Sequence, residues 1–176
     1  MRGVRSHRLR TVAVALAVLA GCGRAAGRQA SVLPIGGASR ATPNAVVTRV
    51  VDGDTIRARI SGRQERVRFI GIDTPESVKP NTPVQCFALA ASARTKALLP
   101  PGTAIRLVRD AEARDRYHRL LAYVYRSRDG LFVNLALVRE GFARPYTFPP
   151  NVAHEAEFVA AAAQARAQGK GLWSRC

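Results

Sequence analysis

A chain of 176 residues has room for one domain of ordinary size and a short additional segment. Apolar residues make up 47% of it, enough to build a core and to exclude wholesale disorder. The 28 Lys and Arg residues against 12 Asp and Glu favour a polyanionic partner, either nucleic acid or an anionic surface, because basic groups that neutralise phosphates release condensed counterions.

The first 22 residues have the build of an export signal. Arg2, Arg5, Arg8 and Arg10 form a basic start without an acid, and Thr11 to Ala20 is apolar but too short for a bilayer, which needs about 20 such residues. The segment ends in Leu19-Ala20-Gly21-Cys22, which resembles a bacterial lipobox, in which the cysteine is acylated and becomes the first mature residue. An ordinary signal peptide cut near Ala20 or Gly21 is the competing reading. Either way, four arginines and no acid are lost, so the basic excess belongs to the mature protein. Residues 1–21 are thus expected to be a signal peptide, 22–43 a Gly-, Ala-, Ser- and Arg-rich flexible tether, and 44–176 the folded domain. The expected location is the extracytoplasmic side of the cell membrane, with Cys22 as the lipid anchor. Setting Cys22 aside leaves Cys86 and Cys176, two thiols expected to pair outside the cytoplasm; the competing reading makes one a small buried residue and the other a free tail thiol.

From Ala45 to Val51 the chain is apolar and β-branched, which predicts a strand. Asp52-Gly53 is a turn signal, and in Thr55–Ile60 the apolar Ile56, Ala58 and Ile60 alternate with Thr55, Arg57 and Arg59. After Ser61-Gly62, a third strand is expected over Arg66–Ile72, completing a meander. Helical spacing over Val84–Leu99 is stopped by Pro100-Pro101. Strands are expected at Ala104–Arg109 and Leu120–Tyr125, and a short helix at Asn134–Glu140 closed by Gly141. A last helix begins with Asn151 as its expected cap, with Glu155 and Glu157 early in it, and runs to Gln168 before Gly169 and Gly171. Five strands with helices after the third and the fifth predict an α+β fold: a five-stranded Greek-key barrel of OB type with about three helices.

Three segments carry chemistry. Val51-Asp52-Gly53-Asp54-Thr55 by itself is a hairpin turn. In Arg68-Phe69-Ile70-Gly71-Ile72-Asp73-Thr74-Pro75-Glu76, however, a guanidinium interrupts an apolar run and requires an anion, and the strand then delivers Asp73 and Glu76 beside a proline turn. Oxygen ligands converging from neighbouring strand ends, Asp54 and Asp73, suit Ca²⁺. The spacing is not that of an EF-hand, and neither His/Cys metal spacing nor a Ser/His/Asp arrangement is present. The third segment, Arg114-Asp115-Arg116-Tyr117-His118-Arg119, is a charged loop leading into an apolar strand. It is either a solvated basic loop or the source of a second guanidinium, Arg119, that grips a phosphate together with Arg68.

These segments resemble, in order and spacing, the staphylococcal nuclease (thermonuclease) family, and the likeness runs from about Val46 to Trp173. Phe132 to Gly141, Pro150-Asn151 before His154-Glu155, and Gly171-Leu172-Trp173 agree with it. The resemblance implies a calcium-dependent, sugar-nonspecific nuclease that acts on DNA and RNA and leaves 3′-phosphorylated products. It also implies roles. Asp54, Asp73 and the Thr74 carbonyl would hold Ca²⁺, and Glu76 would act as general base or orient the attacking water. Arg68 and Arg119 would bind the scissile phosphate and stabilise the transition state. Arg116, Tyr117 and Tyr146 would contact the nucleotides. A monomer is expected. His118 departs from the family pattern, which has Gly between the Tyr and the Arg, and this bears on the placement of Arg119. Two other classes compete: a catalytically inactive nucleic-acid-binding lipoprotein, and an envelope lipoprotein whose basic face meets anionic lipid or polysaccharide.

Overall fold

The structure is a computed structural model and describes residues 41–77 and 83–176. The expected signal peptide, the acylated Cys22 and nearly all of the tether lie outside the described residues. In chain order, β1 (Ala45–Val50), β2 (Thr55–Ile60) and β3 (Arg63–Phe69) form the meander, followed by the short β4 (Ile72–Asp73). Next come α1 (Ala88–Leu98), β5 (Ala104–Val108), β6 (Leu120–Arg126) and β7 (Leu131–Phe132). The chain continues through α2 (Val133–Arg139), β8 (Arg144–Pro145), α3 (Glu155–Ala167) and α4 (Leu172–Arg175).

Strand order β3-β2-β1-β5-β6 is closed by parallel pairing of β3 with β6, Val67 opposite Leu120 and Phe69 opposite Ala122, giving the five-stranded OB-type barrel. Alternation explains which side of each strand is buried: on β2 Ile56 and Ala58 face inward, while Arg57 and Arg59 are exposed. Val47, Val67, Ile105, Ala122 and Val124 fill the interior with them. At one barrel end the buried Asn134 of α2 accepts a hydrogen bond from the Val124 N–H inside β6 (2.9 Å) and donates to the Ile70 carbonyl just past β3 (2.9 Å), satisfying two backbone groups that the sheet leaves unpaired. Thr95 of α1 donates to the Gly53 carbonyl (2.6 Å) and so fastens the first turn to the helix layer. Arg94 and Glu140 pair in a two-pronged bridge between α1 and the end of α2.

Several boundaries depart from the local reading. The third strand begins at Arg63 and ends at Phe69; Gly71, at φ 78°, turns the chain so that Ile72 and Asp73 pair with β8 instead. Helix α1 starts only at Ala88, because Phe87 takes a left-handed conformation (φ 68°) while its ring stacks on Phe142. Asn151 does not cap the last helix. Its side-chain oxygen accepts from the Glu112 N–H (2.7 Å) and its amide donates to the Glu112 carbonyl (3.2 Å), and α3 begins four residues later, behind His154 and with Glu155 and Glu157 in its first turn. Gly141 does end α2, at φ 75°. A Cβ there would meet the Lys170 carbonyl oxygen at 2.2 Å, so close backbone approach as well as conformation demands glycine. Cys86 and Cys176 are brought together with their sulfurs 2.18 Å apart, tying the C-terminus to the approach to α1.

Candidate active site

Barrel closure brings three chain segments to one rim. The β1–β2 turn carries Asp52 and Asp54, the β3–β4 segment carries Arg68, Asp73, Thr74 and Glu76, and the loop before β6 carries Arg116, Tyr117 and Arg119. Together they line two adjoining hollows that share Arg68, Tyr117, Arg119 and Tyr146. One hollow, of about 380 Å³, is acidic, with Asp52, Asp54, Asp73, Thr74 and Glu76. The other, of about 430 Å³, is walled by Ile70, Leu121, Phe148, Glu112 and Asn151 among others.

Asp54 is buried, and both of its oxygens are used. Oδ2 accepts from the Thr74 N–H (2.8 Å) and the Thr74 hydroxyl (3.0 Å), and Oδ1 accepts from the Thr55 hydroxyl and faces Arg68 Nε, both at 3.1 Å. Gly53 makes this approach possible, because a Cβ there would lie 2.6 Å from Thr74 Oγ1. The anion that Arg68 requires is therefore a pair of carboxylates. Besides Asp54 it reaches Asp73 Oδ1 (2.8 Å), and its Nη1 donates to the carbonyls of Phe69 (2.6 Å) and Ile72 (2.7 Å). Every guanidinium nitrogen of Arg68 is occupied, which fixes its plane at the rim.

The acidic side remains short of positive charge. Burial, and then the charge of Asp54, push the Asp52 carboxyl up to about 6. Burial and Asp54 likewise raise Asp73, against the pull of Arg68. Among the described residues no three His, Cys, Asp or Glu side chains are already closed to metal-binding spacing, and the Arg68 guanidinium stands between Asp54 and Asp73. The donor set is all oxygen, with no His or Cys lining the hollow. Crowded carboxylates whose protons are held too tightly fit a hard divalent cation such as Ca²⁺ rather than zinc. Glu76 lines the same hollow, and its backbone is held from both sides by Gln85, whose Oε1 accepts from the Glu76 N–H (2.8 Å).

The opposite wall is organised by Asp115. Its Oδ1 accepts from the N–H groups of Tyr117 and Arg119 (each 2.9 Å), and its Oδ2 accepts from Arg119 Nε (2.7 Å). Burial raises the Asp115 carboxyl, but the Arg119 hydrogen bonds and charge outweigh it and hold the group below the usual range. His118 adopts φ 60° inside this turn, the glycine-like conformation that its position demands. Histidine tolerates that region better than bulky residues do, and the turn closes with Arg119 directed at the shared rim. Arg116 and Arg119 lie over the Tyr117 ring, 4.8 and 5.4 Å from its centroid. Tyr117 and Tyr146 are both exposed, and the Tyr146 N–H is held by the Gly71 carbonyl (2.9 Å). All nine residues singled out for metal, phosphate or nucleotide thus line or border one groove. Asp52, within the Asp52-Gly53 turn signal, and Asp115 also line the groove, although neither is singled out by its local sequence. A second carboxylate two residues before Asp54, and an acid four residues before Arg119, were the available signals.

Residues 66–175 match the family model described as Staphylococcal nuclease homologue. The chain is 45% identical over 130 residues to the thermonuclease of Staphylococcus intermedius, covering 74% of this chain and 76% of that protein. It is 43% identical over 128 residues to the thermonuclease of Staphylococcus hyicus, covering 73% and 74%. Over 133 residues it is 38% identical to Endonuclease YncB of Bacillus subtilis (strain 168), covering 75% of this chain and 62% of that one.

Proposed function

The chain belongs to the staphylococcal nuclease family, and from that premise we propose that it is a calcium-dependent nuclease that hydrolyses phosphodiester bonds in DNA and RNA without regard to the sugar. The observation that carries this reading is the rim itself: Arg68 and Arg119 face one acidic hollow between two exposed tyrosines.

Asp54, Asp73 and the Thr74 carbonyl would hold Ca²⁺, which when bound supplies positive charge against a phosphate oxygen. Arg68 and Arg119 donate hydrogen bonds to the other non-bridging oxygen, whose charge grows on attack. Glu76 orients a water and takes its proton as the new P–O bond forms in line with the P–O5′ bond that breaks. Products carry a 3′-phosphate and a 5′-hydroxyl, the departing O5′ taking its proton from solvent. Tyr117 and Tyr146 offer ring faces on which any base stacks, which suits a site indifferent to base and sugar. Asp115 acts through Arg119, which it orients.

The export signature of residues 1–22 supports placing the protein outside the cytoplasm, anchored by lipid on Cys22. The approach of Cys86 to Cys176 supports a disulfide, which needs an oxidising compartment.

The test incubates the protein with plasmid DNA in Ca²⁺ or in EGTA, beside Glu76→Gln. Calcium-dependent cleavage that falls by orders of magnitude in the variant, with folding and DNA binding retained, supports the assignment. Near-normal turnover in a folded variant refutes the role of Glu76. Binding without cleavage in the unmodified protein makes it a binding module.

A further inference from the structure

Outside the groove, the largest charge anomaly lies on the outer face of the meander. Arg49 of β1 pairs with Arg57 of β2, and Arg57 pairs with Arg66 of β3, so three arginines stand directly opposite one another across neighbouring strands. All three are exposed, and among the described residues none forms an ion pair. Like charges in directly opposed positions destabilise a sheet. A fourth, Arg59, lies on the same face of β2, two pairs further along.

The row depends on a backbone irregularity. The β1–β2 register shifts between Val47 and Arg49, so Thr48 is the extra residue of a bulge. Strict alternation from the buried Val47 would turn Arg49 inward; the bulge turns it outward and restores Val50 to the core.

The row also adjoins the site. Arg66 lies two residues before Arg68 on β3 and shares its face, a step of roughly 6.8 Å along the strand. Arg57 lies two residues after Thr55, which pairs with Arg68.

We propose that Arg49, Arg57 and Arg66 form a phosphate track that holds the nucleic-acid strand running out of the active site, binding its backbone without reading bases. This rests on the nuclease reading and extends it: the substrate favoured is a polymer longer than the groove can hold. Charge complementarity and continuity with Arg68 point to a nucleic-acid strand. An anionic membrane fits the row less well, because no large exposed hydrophobic residue lies on β1, β2 or β3 to insert among lipids.

The test compares the full chain in mild detergent with the triple variant Arg49→Gln, Arg57→Gln, Arg66→Gln. Substrates are a dinucleotide and a 20-nucleotide single strand, each assayed across a range of salt. Expected are an unchanged kcat, a dinucleotide KM within about twofold, and a KM for the 20-mer raised roughly tenfold or more. The log–log salt slope for the 20-mer should fall by about 2, from three lost phosphate contacts on a single strand. Thermal stability should hold or rise, since repulsion is removed. An unchanged 20-mer KM and slope overturn the track. So does loss of binding to phosphatidylglycerol vesicles with the 20-mer unaffected, which makes the row a membrane contact. If the unmodified protein cleaves neither substrate, the nuclease reading fails separately, and the salt slope of 20-mer binding by fluorescence anisotropy still decides the track.

Discussion

Replacing Arg68 with methionine keeps the aliphatic stem and removes the charge that holds the rim together. Asp54 would lose the partner 3.1 Å from Oδ1 while remaining only 7% exposed, and the carbonyls of Phe69 and Ile72 would lose their donors. Breaking one side of a buried pair costs about 3–5 kcal/mol. Because the site opens to solvent at Asp73, water replaces some of the lost hydrogen bonds, and the lower end, about 3 kcal/mol, is expected without metal. Calcium should then do part of the work of the guanidinium. Saturating Ca²⁺ should recover most of that loss, and calcium affinity should rise at least tenfold, because a guanidinium 3.1 Å from Asp54 and 2.8 Å from Asp73 no longer opposes the ion. Catalysis moves the other way, with kcat falling by at least about 100-fold from loss of a phosphate donor. Urea denaturation with and without calcium, titration calorimetry and plasmid cleavage read the three quantities. A metal-free loss below about 1 kcal/mol, or calcium affinity that is unchanged or weaker, would refute the idea that Arg68 stands in for the cation between Asp54 and Asp73.

Gly53→Ala places a methyl 2.6 Å from Thr74 Oγ1 and 2.8 Å from its Cβ, so the buried Thr74 must move; a loss of about 1–3 kcal/mol and weaker calcium binding by calorimetry are expected. Asp52 has a folded-state pKa raised from 3.8 to about 6, so its favourable contribution is complete below pH 3.8 and is lost as pH climbs through 6. Asp52→Asn should therefore raise calcium-free stability at pH 7, by no more than about 3 kcal/mol, and flatten the stability profile between pH 4 and 7; an identical profile would contradict the assigned burial and crowding. Cys86 and Cys176 are 90 residues apart, and linking so long a loop is worth about 2–4 kcal/mol. Cys176→Ser should lower the urea midpoint accordingly and abolish any effect of reductant.

Much of this protein follows from local pattern. The alternation in Thr55–Ile60 matches β2 to the residue, and Gly141 ends its helix where the pattern placed it. Arg68, Asp73 and Glu76 stand out in the chain as a charge inside an apolar run and acids beside a forced turn, whereas Asp54 and Arg119, which locally read as a hairpin turn and a solvated loop, draw their roles from the family resemblance. Such signals act over a few residues, and the chain carries them whatever its tertiary fold.

Tertiary structure decided what depends on partners distant in sequence. Parallel closure of β3 on β6 sets Arg68 and Arg119 on the same rim, and neither strand reveals the other in its own pattern. Arg68 is held by carboxylates of this chain in addition to any phosphate, since only barrel closure shows how near Asp54 and Asp73 come. Asn151 has the chemistry of a cap, yet its bonds go to Glu112, 39 residues away, because a packed loop offered both a donor and an acceptor before the helix began. The row of Arg49, Arg57 and Arg66 needed a bulge and two registers to align. Residue type is written along the chain, whereas register is chosen by the packing of the whole barrel.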